Sequence, residues 1–157
     1  MSRKLEMLKT IAQRFSDAGI VWALGASMLL YFKGIVSEFH DIDLMIPEND
    51  IAKAKTVLDG MGRRLPEKGG AGFATRHFLE YDIDGVGVDL MAGFAIVSGG
   101  RVHDCALKSD QISEYACLDG ERIPLQSVAL WRRYYELMGR EEKVRLIDNF
   151  AESVSCE

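Results

Sequence analysis

Apolar and polar positions change period several times along the chain, and each change marks an element. Leu5, Leu8, Ala12 and Phe15 recur at helical spacing and predict an amphipathic helix that Gly19 stops. The apolar run "IVWALG" (20–25) then predicts a short strand. Ser27 is expected to cap a helix from Met28 to about Lys33, which Gly34 closes. "DIDLMI" (41–46) reads as a strand, and "ENDIAKAKTVLDGMG" (48–62), after Pro47, as a helix ending at Gly60 and Gly62. The glycine-rich "KGGAG" (68–72) is expected to be a mobile loop.

The segment "ATRHFLEYDIDGVGVDLMAG" (74–93) alternates on either side of Asp84-Gly85, a strong two-residue hairpin signal. Gly99-Gly100 is the pivot expected for a second hairpin, and Asp119-Gly120 marks a turn before "IPL". From about Gln126 the pattern is helical again, with Val144, Ile147, Ala151 and Val154 as the stripe of the last helix. No repeat, linker or low-complexity tract interrupts this order. The expectation is one α/β (α+β) domain over 1–157, a mixed sheet flanked by helices with a C-terminal helical segment.

Composition narrows the class. The chain has 157 residues, 48% of them hydrophobic, which suits one globular domain. A net charge of −5 without a polybasic run argues against nucleic acid as the partner. Charges recur every few residues in "MSRKLEMLKTIAQRF", unlike a signal peptide, and no apolar run reaches membrane-spanning length. Cys105, Cys117 and Cys156 are too few and too scattered for a disulfide framework or zinc ribbon, so the cytoplasm is the expected setting.

The chemistry starts with carboxylates inside strands. Asp41 and Asp43 are spaced to share one strand face. Two like charges about 4 Å apart repel by about 4 kcal/mol at an effective dielectric of 20. Either one carboxyl stays protonated, or a divalent cation sits between them, and oxygen-only ligands favour magnesium or manganese. In "VGVDLM", Asp89 faces away from Val86 and Val88 as a lone strand acid. With the turn at Asp84-Gly85, counting places Glu80 opposite Asp89, with Phe78 and Arg76 further along that face. The tripeptide "DID" occurs again at 82–84, where turn chemistry accounts for it.

"LGAS" ends one strand and opens a helix. Gly25 permits close approach to a ligand, Ala26 adds little bulk, Ser27 offers a hydroxyl, and the helix start favours an anion such as phosphate. Together, "LGAS", "DIDL" and "VDLM" resemble the signature of the nucleotidyltransferase superfamily of the DNA polymerase β type. Size and layout are most similar to the small lincosamide- and aminoglycoside-type enzymes and their relatives. The "LMGREEKVRLID" segment resembles their C-terminal helical motif through Arg140, Lys143 and Asp148, with Val144 departing from it.

That resemblance implies Asp41, Asp43 and Asp89 as catalytic residues and as ligands of Mg²⁺ (or Mn²⁺). It implies Gly25, Ala26, Ser27, Lys33, Arg76 and Lys143 as nucleotide-binding residues. An NTP is the implied donor, with the β/γ-phosphates at Gly25 and Ser27 and an attacking hydroxyl deprotonated by Asp89 or Glu80. Arg140 is a further candidate phosphate partner, and His40 could support Asp41. Trp131, Tyr134 and Tyr135 read first as helix packing and secondly as a wall for a ring. The implied acceptor is a small hydroxyl compound, with a homodimer possible. Antitoxin-type or protein-modifying transfer and a non-catalytic nucleotide-binding relative are the alternatives.

Overall fold

Leu8, Ile11, Ala12 and Phe15 form the buried face of α1 (Arg3–Asp17), whose first turn is capped by Ser2 Oγ accepting the Leu5 N–H at 3.3 Å. The computed structural model describes residues 1–67, 74–112 and 114–155, with Ser155 by its backbone alone. The "KGGAG" loop and Cys156 therefore lie outside the described residues.

Seven strands make one mixed sheet: β1 (Ala23–Leu24), β2 (Ile42–Ile46), β3 (Arg63–Arg64), β4 (His77–Ile83), β5 (Val86–Ala92), β8 (Glu114–Leu118) and β9 (Glu121–Leu125). Their order is β3-β4-β5-β2-β1-β9-β8. The β2–β5 and β1–β9 pairs are parallel, and the β1–β2, β3–β4, β4–β5 and β8–β9 pairs antiparallel. A separate hairpin joins β6 (Ala95–Ser98) to β7 (Arg101–Asp104). The helices α2 (Ala26–Phe32), α3 (Ile51–Asp59), α4 (Val128–Leu137) and α5 (Glu141–Ser155) complete the chain. None of the described helices is long and apolar enough to cross a membrane. One hydrophobic cluster runs from Leu8 in α1 to Ile147 in α5 and takes in both faces around β1.

The three turn signals behave as local sterics require. Asp84-Gly85, Gly99-Gly100 and Asp119-Gly120 all place both residues at positive φ, between 49° and 86°, the paired left-handed geometry of tight hairpin turns. The turn fixes the β4–β5 register, and Glu80 does oppose Asp89.

Two predicted elements differ. Only Ala23–Leu24 of "IVWALG" pairs as strand, both residues fully buried between β2 and β9. Ser27 is not the cap of α2. The helix begins two residues earlier, at Ala26; Gly25 is its N-cap with no side-chain hydrogen bond, and the Ser27 Oγ accepts the His40 N–H instead.

Candidate active site

Parallel pairing of β2 with β5 sets Asp43 directly opposite Asp89, and antiparallel pairing of β5 with β4 sets Asp89 opposite Glu80. Strand alternation then divides the chemistry. Leu44, Leu90 and Leu79 point into the core, while Asp43, Asp89 and Glu80 share the other face. Asp43 and Asp89 lie part-buried on the floor of a cleft of about 320 Å³ and hydrogen-bond to each other.

The electrostatics follow from that placement. Burial first, then the Asp89 and Asp41 charges and the hydrogen bond to Asp89, hold Asp43 well above the usual carboxylate range. Asp89 is pushed up to about 7, by burial first and then by Asp41 and Glu80, while the bond from Asp43 acts the other way. Burial and the mutual repulsion of neighbouring carboxylates thus raise both groups. The Tyr135 hydroxyl, at the cleft wall, is also pushed up, by burial first and then by the Asp43 charge.

Asp41 reaches the same cleft by another route. It precedes β2 and is exposed, yet it lies on the face that Asp43 and Asp89 share, as its spacing suggests. Its carboxylate lies over Gly87, where an added Cβ would collide with Oδ1. Gly87 thus makes room for Asp41. A glycine inside an alternating strand, two residues before an acid, was a legible signal of close approach. Among the described residues, no three acidic, histidine or cysteine side chains converge tightly enough, as placed, to grip one ion.

The other cleft wall comes from the turn after β1. Ser27 is buried, and its Oγ accepts the His40 N–H at 3.2 Å, tying the start of α2 to the segment that carries Asp41. Ala26 sits at φ 54°, a left-handed conformation that costs a residue with a Cβ about 1–2 kcal/mol. Gly25 donates its N–H to the Asp43 carbonyl at 3.1 Å. A Cβ at Gly25 would fall 2.5 Å from Trp131 Cζ2, so the indole backs the turn directly. Trp131 is itself held by Nε1–H donation to Gln126 Oε1 at 2.7 Å. Trp131 and Tyr135 are both buried packing residues and parts of the cleft wall; Tyr134 packs behind them.

The cations divide. Arg140 and Lys143 line the cleft, where Arg140 Nε also donates to Glu142 at 2.7 Å. Lys33 does not reach it: at the end of α2 it ion-pairs with Glu114 of β8. Arg76 does not either, since it pairs with Glu48 at 3.2 Å beside Gly93 and borders a separate depression. Asp148 is held by Arg132, at 2.7 and 3.0 Å, rather than by the cleft. Helix phase explains these losses, because position along the chain did not specify which side of the helix or strand end each residue would occupy. Phe78, Met91, Phe94 and Met138, none of them singled out as site residues by the sequence, complete the walls.

No protein-family model matches the sequence, and no curated protein matches it. Solved structures do. A candidate nucleotidyltransferase from Thermotoga maritima is 22% identical, with a TM-score of 0.74 over 98% of this chain and 96% of that one. ANT(2″)-Ia in complex with adenylyl-2″-tobramycin is 14% identical, with a TM-score of 0.65 over 99% of this chain and 94% of that one. The solution structure of ANT(2″)-Ia, described as an antibiotic-resistance factor, gives a TM-score of 0.57 at 14% identity over 97% and 93%. The chain has the nucleotidyltransferase fold.

Proposed function

On the premise of that fold, we propose that the protein transfers NMP from an NTP to the hydroxyl of a small acceptor, releasing pyrophosphate, dependent on Mg²⁺ or Mn²⁺. The observation that carries this reading is the in-register Asp43–Asp89 pair on the floor of a cleft shared with Ser27, Arg140 and Lys143.

The donor set suits a hard divalent cation. Asp43 and Asp89 are oxygen donors held together at an electrostatic cost that a cation would remove, and Asp41 can swing in from its exposed position. A bound ion would neutralise these carboxylates and the developing charge on the nucleotide phosphates.

The remaining work falls to the chain. The Gly25–Ser27 turn receives the β/γ-phosphates. The Ser27 Oγ already accepts from His40 N–H, so its own proton is free to donate to a phosphate oxygen. Arg140 and Lys143 meet the same charge from the α4–α5 side. Asp89 takes the acceptor hydroxyl's proton from its place on the cleft floor, in register with Asp43. Catalysis is mainly positioning and charge complementarity, as in other phosphoryl transfers.

The test is incubation with each α-labelled NTP and Mg²⁺, with and without hydroxyl acceptors, using Asp43→Ala as control. Metal-dependent NTP binding and acceptor-dependent labelled product are expected. Absence of metal-dependent NTP binding would remove the reading.

A further inference from the structure

Resting on that transfer reading, we infer that the acceptor carries its hydroxyl on a largely apolar body with at most one cationic group, seated against Phe78, Met91 and Phe94. In-line displacement puts nucleophile and leaving group on opposite sides of the phosphorus. The phosphate turn follows β1, and the order β4-β5-β2-β1 places it on one flank of the Asp43–Asp89 pair. The acceptor therefore approaches from the other flank, over β5 and β4.

That flank is apolar. Register sets Phe78 opposite Met91, on the same sheet face as the acids and next to the Glu80–Asp89 pair. Phe78, Met91 and Phe94 all line the cleft, and Phe94 stacks on Trp131 with ring centroids 6.0 Å apart. Asp41, Asp43 and Asp89 are the acids of the cleft lining, and the transfer reading uses all three. Further along β4, Asp82 is occupied by the Gly85 N–H at 2.8 Å and by Arg63 at 3.7 Å. Glu80 is the one remaining acid on that face of the two strands. A polyammonium sugar seated here would bury several positive charges against one spare carboxylate, which is strongly unfavourable. An apolar body would instead cover apolar wall, with Glu80 able to match a single ammonium.

The experiment uses the full chain, Mg²⁺ and the four α-labelled NTPs with three acceptors: 2-naphthylmethanol, 4-(aminomethyl)benzyl alcohol and tobramycin. NTP binding is measured in parallel. Labelled adducts on the two aromatic alcohols are expected, with tobramycin a poorer substrate. Phe78→Ser should raise the acceptor KM about tenfold with little change in the NTP KM, and Phe78→Leu, which keeps apolar surface, should stay near wild type. Equal or better use of tobramycin overturns the inference and leaves transfer standing. So does NTP binding without adduct on either alcohol. A Phe78→Ser effect on the NTP KM instead gives the wall to the nucleobase and also overturns it. Loss of NTP binding altogether refutes the transfer reading, and the acceptor assignment falls with it.

Discussion

Asp-Ile-Asp occurs twice in this chain, and the two copies have opposite fates. At 41–43 the tripeptide enters β2, with Ile42 fully buried and Asp43 facing Asp89 across a parallel ladder. At 82–84 it leaves β4, where Asp82 accepts the Gly85 N–H at 2.8 Å and Asp84 adopts a left-handed φ of 52°. In the second copy Asp82 is engaged by the adjacent turn and by Arg63, and Asp84 forms the turn's backbone. In the first, two acids face each other in register, and nothing local accounts for the arrangement. The contrast shows that chemistry resides in which strand lies alongside, a property that no tripeptide contains.

The comparison can be broken most sharply by mutation. Asp43→Ala should lower NMP transfer by about a thousandfold or more, whereas Asp82→Ala should leave transfer unchanged and cost about 1 kcal/mol of stability. Product formation and a urea unfolding midpoint measure both. Comparable losses of transfer in the two variants would erase the distinction.

Glycines beside the two copies offer a second test. Gly87→Ala pushes into Asp41 Oδ1 and should reduce transfer by about a hundredfold with the fold retained. Gly85 has φ +83° and open surroundings apart from Arg3 Nη1 at 3.7 Å, so Gly85→Ala should cost about 1–2 kcal/mol of stability and little activity.

A third test is pH dependence in the presence of a chelator. Asp89 is raised to about 7 in the folded chain, against about 3.9 for a free aspartate. The folded state then binds more protons between those values, so this contribution to stability is full below about pH 4 and is lost as pH rises toward 7. Asp89→Asn should flatten that decline, and added Mg²⁺ should raise the wild-type unfolding midpoint near pH 7.5. Asp82→Asn should not flatten it. The smallest expected effect is at Ala26: Ala26→Gly relieves the left-handed strain and should stabilise by at most about 1 kcal/mol, read as a small rise in Tm.

Much of this was legible in the residues. The β4–β5 register followed from one turn, because a two-residue hairpin fixes every pairing above it. Asp43 and Asp89 could be assigned to faces by alternation alone. Their meeting could not, since parallel neighbours 46 positions apart are set by the sheet order. Lys33 and Arg76 escaped for a related reason: a cation's partner depends on what packs beside it, here Glu114 and Glu48. Trp131 was recognised as packing, but its role behind Gly25 depends on α4 crossing the start of α2.

The indole at Gly25 and the pairing of Leu24 with Leu125 bind the beginning of the chain to its last third. During synthesis, the turn after β1 leaves the ribosome early but has no backing until residue 131 follows it out. Nascent chains stalled before that point should present the acids without a backed turn after β1, and any nucleotide binding should begin only once residue 131 has emerged.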